Sequence, residues 1–158
     1  MKRFSAGVVC LAMSIALCGC SSSGPIDKYI EEPCVSYFLT GEYASDMQEV
    51  IEFSQDGKYD DDASAAITRI TENVQAMRNV DSTDESVKPY HERLYKGVSE
   101  LTDGCLGYID AGKINGGIDG ADPLDIDSLT DALERGNEGT QAAIEDISSV
   151  SNDLGVTS

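Results

Sequence analysis

The most regular apolar pattern in the chain runs through residues 126–154, which read IDSLTDALERGNEGTQAAIEDISSVSNDL. Apolar or small residues recur there at alternating steps of three and four, the spacing that places side chains on one face of an α-helix. They are Ile126, Leu129, Leu133, Gly136, Thr140, Ala143, Ile147, Val150 and Leu154. This unbroken register predicts one long helix that lies along the groove of a helical bundle.

The middle of this face is small, because Gly136, Thr140 and Ala143 stand between larger apolar residues. Either a partner helix approaches closely at this point, or bulky side chains from elsewhere fill the space. Gly136 and Gly139 also leave open a turn over residues 136–139 in place of a continuous helix.

Three upstream segments show the same helical period. The first begins between residues 30 and 33 and should end at Gly57, since glycine readily takes the left-handed conformation that terminates helices. The second covers residues 63–80, after three consecutive aspartates at 60–62 that suit a helix N-terminus better than a calcium site. The third covers residues 86–108, with glycines that should kink or fray its end, and a glycine-rich loop follows at 113–120. A helix restart is expected at Asp122-Pro123.

No part of the sequence shows the alternation of apolar and polar residues that is typical of a half-buried strand. The four helical segments therefore predict an all-α fold, an antiparallel four-helix bundle over residues 33–154. It follows a signal peptide at 1–19 and a flexible tether at 20–32.

The N-terminal segment has the composition of an export signal. Lys2 and Arg3 precede an uncharged run from Phe4 to Gly19, which is shorter than the roughly 20 apolar residues that a membrane-spanning helix needs. The run closes on Leu17-Cys18-Gly19-Cys20, and small residues follow at 21–24.

These residues resemble the signal peptide and lipobox of bacterial lipoprotein precursors, with Cys18 as a less usual residue in the middle of the motif. The resemblance covers residues 1–20. It implies cleavage after Gly19, a diacylglyceryl group on Cys20, and usually an acylated Cys20 amine. The protein is then expected at the cell membrane or outer membrane, held by lipid and facing outside the cytoplasm. An ordinary secretory signal or an uncleaved anchor is the alternative.

The net charge limits the partners of the protein. The full chain has 11 basic and 29 acidic residues, and loss of residues 1–19 removes Lys2 and Arg3 but no acid, so the net charge changes from −18 to −20. A chain of this charge has no basic face for a phosphate backbone, so nucleic acid is not an expected partner. Cations or basic proteins are favoured.

The chain has five cysteines, and they are expected to be processed in different ways. Cys10 and Cys18 leave with the signal and Cys20 carries lipid, so Cys34 and Cys105 remain, and a pair in an exported protein predicts a disulfide. A simple up-and-down bundle conflicts with this bond, because it offsets the two residues along parallel helices by tens of ångströms. A break near Cys34, another helix order or two unpaired thiols would each resolve the conflict.

No catalytic motif is found in the sequence, and the protein is not expected to be an enzyme or to hold a cofactor. The sole histidine, His91, is expected on the surface near a helix start. Residues 115–127 resemble a calcium loop in part, but Ile126 occupies the position that needs a bidentate glutamate. A glycine turn that ends in a helix cap is the simpler interpretation.

Two functions agree with these observations. In the first, the lipoprotein is a non-catalytic, acidic helical interaction module whose partner is an envelope protein. In the second, it binds a small cationic ligand or metal ion, which requires an enclosed pocket lined by acids. A filled apolar core would favour the first.

Overall fold

The structure is a computed structural model, and it describes residues 24–156. Within this range it is all-helical, with six α-helices, one short 3-10 helix and no strand. The helices are α1 (Pro25–Glu31), α2 (Pro33–Leu39), α3 (Glu42–Asp56), α4 (Asp61–Met77), α5 (Lys88–Gly116) and α6 (Ile126–Asp153), and the 3-10 turn spans Ile118–Gly120. The predicted helical class is confirmed. The signal peptide, Cys20 and the first residues of the tether lie outside the described residues.

Residues 25–31, which the sequence assigns to the tether, form α1. Pro25 stands at the start of this helix, where a missing backbone N–H costs nothing. Tyr29 is only 3% exposed and belongs to the apolar core. The predicted tether of residues 20–32 therefore does not include residues 25–31.

The first predicted helix is two helices rather than one. Pro33 begins α2, and the chain turns at Gly41, whose φ of 80° is left-handed. A residue with a side chain rarely adopts this conformation, so the glycine allows the turn that starts α3 in a new direction. The second glycine of this kind, Gly57 with φ 68°, ends α3 where the sequence predicts it.

The predicted second helix is confirmed as α4. Its N-cap is Asp60, whose side chain accepts a hydrogen bond from the backbone N–H of Ala63, and Asp61 and Asp62 occupy the first turn. Carboxylates favour this position because backbone N–H groups at a helix N-terminus are unpaired and carry partial positive charge. The aspartate triplet is thus a helix start, as expected.

Helix α5 is longer and more regular than its sequence predicts. It continues for 29 residues through Gly97, Gly104 and Gly107 and includes residues 113–116, which were expected in a loop. The glycines cost helix propensity, but they lie against another helix and are buried. Tertiary packing therefore overrides the local preference.

Helix α6 is continuous through Gly136 and Gly139, so the alternative of a turn there is wrong. It begins at Ile126 and not at Pro123, because the carboxylate of Asp125 caps it by accepting from the N–H of Ser128. Asp122 instead accepts a hydrogen bond from the N–H of Leu124, which forms a separate turn before the helix.

The four long helices alternate in direction. The C-terminal end of α3 lies beside that of α5, where Asn115 donates a side-chain hydrogen bond to the carbonyl of Ser54. Helix α4 returns along α3, and α6 returns along α5, with Arg93 of α5 paired to Asp153 of α6. Helix α6 packs chiefly on α5, and α2 fills the space between α3, α4 and α6.

Helices α5 and α6 pack so closely that their backbones are in contact. A Cβ built on Gly107 would lie 2.5 Å from the backbone N of Gly136, and one on Gly139 would lie 2.5 Å from the N of Gly104. Real Cβ atoms do not approach backbone so closely, so only glycine fits these positions. The small middle of α6 left two options open, and both are observed: the partner helix approaches closely, and the ring of Tyr108 packs on Gly136.

Candidate functional site

The two cysteines of the described domain are free, buried thiols in the structure, so the predicted disulfide between Cys34 and Cys105 is not formed there. Cys34 lies in the first turn of α2, whereas Cys105 lies deep in α5, and α2 packs mainly on other helices. Burial raises the pKa of Cys34 and raises that of Cys105 to about 11. Few thiolates exist near neutral pH under these conditions, and both groups act as small apolar core residues.

His91 was expected on the surface, but the structure shows it half-buried. Its Nδ1 lies 3.4 Å from the hydroxyl of Tyr29, and its ring stacks on Tyr95 with centroids 6.0 Å apart. Burial lowers the pKa of the imidazole, with a smaller opposing effect from Glu92. The ring thus joins α1 to the start of α5.

Among residues 24–156, Asp46 is the one buried acidic residue, and both of its carboxylate oxygens accept hydrogen bonds. Asp46 of α3 accepts a hydrogen bond of 2.8 Å from the hydroxyl of Tyr37 in α2, and its two oxygens accept from the guanidinium of Arg69 in α4. A buried charge needs such partners, because desolvation without them is costly. This network therefore ties three helices together and leaves no oxygen free for a ligand.

The sequence around 115–127 does not form a calcium loop. Asn115 is part of α5, and its side-chain amide binds the carbonyl of Ser54. Among residues 24–156, no group of three or more His, Cys, Asp or Glu side chains is arranged to hold a metal ion.

A cleft of about 620 Å³ lies where the C-terminal turns of α5 meet the N-terminal turns of α6. Ile114, Ile118 and Ala132 give it apolar walls. Two ion pairs cross its rim, Lys113 to Asp119 at 3.3 Å and Arg135 to Asp110 at 2.6 Å. The cleft is open to solvent on one side, so it is a surface groove and not an enclosed pocket.

Residues 117–131 form the loop and helix start beside this cleft, and we call this segment the acidic end. It contains five aspartates and no basic residue, at positions 119, 122, 125, 127 and 131. Among the described residues, only Asp119 of these five forms an ion pair, with Lys113. The acidic end therefore has a concentrated negative charge that the protein itself does not neutralise.

Two large apolar side chains project from the acidic end. Leu124 is 84% exposed and Ile126 is 71% exposed, more than any other large apolar residue of the described chain. The sequence places Ile126 in the buried face of α6, but the helix begins there and has no neighbour to cover its first turn. Asp125 and Asp127 on either side of Ile126 are the signal that could have identified an exposed position.

None of the helices in the described residues combines the length and apolar character needed to cross a bilayer.

Comparison of the chain with protein-family models, with curated proteins and with solved structures finds no match.

Proposed function

We propose that the protein is an extracytoplasmic lipoprotein, attached to the cell membrane or outer membrane through lipid on Cys20. It acts as a non-catalytic, acidic helical interaction module whose partner is an envelope protein. The observation that carries the interaction role is the acidic end, where exposed Leu124 and Ile126 stand among five aspartates, of which only Asp119 forms an ion pair within the described residues. The lipobox-like residues Leu17-Cys18-Gly19-Cys20 support the anchor.

The position of α1 fits an anchor at Cys20. Helix α1 begins at Pro25, so the chain between Cys20 and the first helix can span no more than about 18 Å. Tyr29 of α1 lies against His91, near the N-terminal end of α5. The end of the molecule that contains α1 is therefore held close to the bilayer.

The acidic end lies at the opposite end of α5. With 29 residues and a rise of about 1.5 Å each, this helix is about 43 Å long. Anionic lipid headgroups repel a chain of net charge −20, which disfavours a molecule lying flat on the membrane. The acidic end is then presented away from the bilayer, where an envelope protein can reach it.

For the four long helices, α3 to α6, we propose an antiparallel bundle as the scaffold of this module. Their alternating directions and the apolar core that they share support it. A scaffold of this kind holds the acidic end at a fixed distance from the anchor.

A non-catalytic role is supported by the state of the reactive groups. The two thiols of the described residues are buried, the imidazole of His91 contacts two tyrosines, and the buried carboxylate of Asp46 is paired with Arg69. Function is therefore assigned to a surface and not to a reacting group.

Binding of a small cation or metal ion is the weaker candidate. It requires acids that converge in an enclosed pocket. The cleft between α5 and α6 is open, and Lys113 and Arg135 pair with two of its acids. The core itself is packed with apolar side chains.

Metabolic labelling with palmitate tests the anchor. Wild type should incorporate label, Cys20→Ala should not, and Cys18→Ala should label as wild type does, because only the last cysteine of the motif is the acceptor. Label in Cys20→Ala equal to that of wild type would contradict the proposed lipid attachment.

A further inference from the structure

We infer that the acidic end binds a basic, amphipathic segment of a partner protein, with Leu124 and Ile126 packed on its apolar face. The inference rests on the proposed interaction role and specifies the chemistry of the partner. It depends on two observations of the acidic end: two exposed apolar side chains, and five aspartates of which only Asp119 forms an ion pair within the described residues.

The apolar contribution comes from Leu124 and Ile126. One residue separates them, and the carbonyl of Leu124 accepts a hydrogen bond from the N–H of Ile126, which fixes the backbone between them. Complete burial of a leucine or isoleucine side chain favours association by more than tenfold in affinity. Nothing in the described chain covers these two side chains.

The negative charge of the acidic end favours a basic partner over a second copy of the chain or an anionic membrane. The five aspartates of the acidic end surround the two apolar residues in sequence, and they favour lysine and arginine on the partner. A second copy of the chain would bring five aspartates against five, which disfavours self-association. An anionic lipid surface is disfavoured for the same reason.

A basic amphipathic helix or strand supplies both requirements at once, since its apolar side chains alternate with lysine and arginine at a regular period. The neighbouring cleft extends the contact surface, with the partly exposed Ile114 and Ile118 available to further apolar side chains. Its two ion pairs lie at the rim and can exchange partners with a charged ligand.

The test uses residues 21–158, which contain every described helix and the entire described core, after far-UV circular dichroism has shown a helical spectrum. The probe is a synthetic 18-residue peptide of Lys and Leu with one apolar helical face. A permuted peptide of the same composition has no such face. Affinities are measured by fluorescence anisotropy in about 0.15 M salt, where long-range charge effects are screened.

The patterned peptide should bind at least about tenfold more tightly than the permuted one. The double variant Leu124→Ser/Ile126→Ser should lose about tenfold in affinity. Its matched control is Leu106→Ser/Ile144→Ser, which removes two apolar side chains that are 50% and 47% exposed elsewhere on α5 and α6. This control should change affinity by less than about twofold.

A second pair of variants tests the charge. Asp127→Asn/Asp131→Asn should weaken binding and reduce its dependence on salt, because both carboxylates lie in the acidic end. Glu72→Gln/Glu85→Gln removes the same charge from exposed positions outside the acidic end and should have a smaller effect.

Equal affinity for the two peptides, or equal losses in the two serine double variants, would overturn the inference, because net charge alone would then explain binding. Two other results would also overturn it by identifying a different occupant. One is self-association in sedimentation that Leu124→Ser/Ile126→Ser abolishes, and the other is binding to phosphatidylglycerol vesicles that the same variant abolishes. The peptide assay does not need the lipid, so its failure would leave the labelling result for Cys20 unaffected, and the reverse also holds.

Discussion

The α5–α6 hairpin and the N-terminal helices α1–α4 achieve tight packing in opposite ways. In the hairpin, glycines bring two backbones together, and a Cβ on Gly107 would meet the backbone of Gly136 at 2.5 Å. In the N-terminal helices, large side chains fill the space, with Phe38 fully buried against Tyr37 and Tyr43. The same helical period in sequence thus supports two kinds of interface, and the size of the residues on the face decides which one forms.

This difference matters for the position of the acidic end. Backbones in direct contact cannot shift past each other without a clash, whereas side chains can adopt other rotamers. The hairpin carries the acidic end at its tip, so the closely packed backbones of α5 and α6 support the proposed docking surface.

The largest stability effect is expected where a side chain fills the N-terminal core. Phe38→Ala should lower the free energy of unfolding by about 3–5 kcal/mol, because it leaves a cavity in a fully buried site. Phe38→Leu retains most of the volume and should cost less, and Leu106→Ala on the exposed face of α5 should cost little. Chemical denaturation of the three variants measures this order, and a Phe38→Ala loss no larger than that of Leu106→Ala would show that α2 is not core.

Overpacking should damage the hairpin. Gly107→Ala should cost about 1–3 kcal/mol, since the added methyl meets backbone that cannot move aside. Gly97→Ala makes the same change in the same helix, but its nearest neighbour is a side-chain atom of Ile147 at 3.0 Å. Both variants gain the same helix propensity, so thermal denaturation of the pair isolates the contact. Stabilisation by Gly107→Ala would mean that the two backbones do not touch.

These two interfaces show how far periodicity predicts the fold. Steps of three and four indicate α4, α5 and α6, because burial of one face imposes the period on whatever residues occupy it. The glycines of α5 were expected to weaken the helix, since propensity is a local property and does not include a partner helix. The small face of α6 was the sequence signal for that partner.

The remaining differences between the predicted and the observed structure arise mainly at helix ends. Gly41 fits the apolar stripe of the first predicted helix, so its left-handed conformation is not visible in the period. Ile126 continues the stripe of α6 in sequence, yet the first turn of that helix extends beyond its neighbours and exposes it. The predicted Cys34–Cys105 disulfide rests on the expected export of the protein and on the even number of remaining cysteines. Neither gives the distance between the two residues.

Helix α4 offers a smaller test, because its start depends on a single side chain. Asp60→Ala should cost about 1 kcal/mol by removing the acceptor for the N–H of Ala63. Asp61→Ala removes a neighbouring charge but no cap and should cost only a few tenths of that amount. Equal losses in a urea titration would indicate that charge and not capping stabilises this end.

The smallest expected effect concerns the contact of α1 with α5 at His91. Burial lowers the pKa of His91 in the folded state, so the unfolded state binds its proton more readily. The stability contribution of neutral His91 is present above the unfolded pKa of about 6.5 and is lost as the pH falls below it. The melting temperature of wild type should therefore decrease more than that of His91→Gln between pH 7.5 and pH 5.5. Parallel pH profiles would contradict the buried environment of the ring.

Photo-crosslinking in intact cells most directly tests the central claim, that an anchored helical module docks an envelope protein through its acidic end. A photoreactive amino acid is placed at position 124, and in a matched variant at position 106, which is exposed on α5 outside the acidic end. We expect a discrete crosslinked protein from position 124 and none from 106, and the crosslinked peptide should contain more lysine and arginine than acid. Equal crosslinking from both positions, or an acidic partner segment at position 124, would contradict the claim.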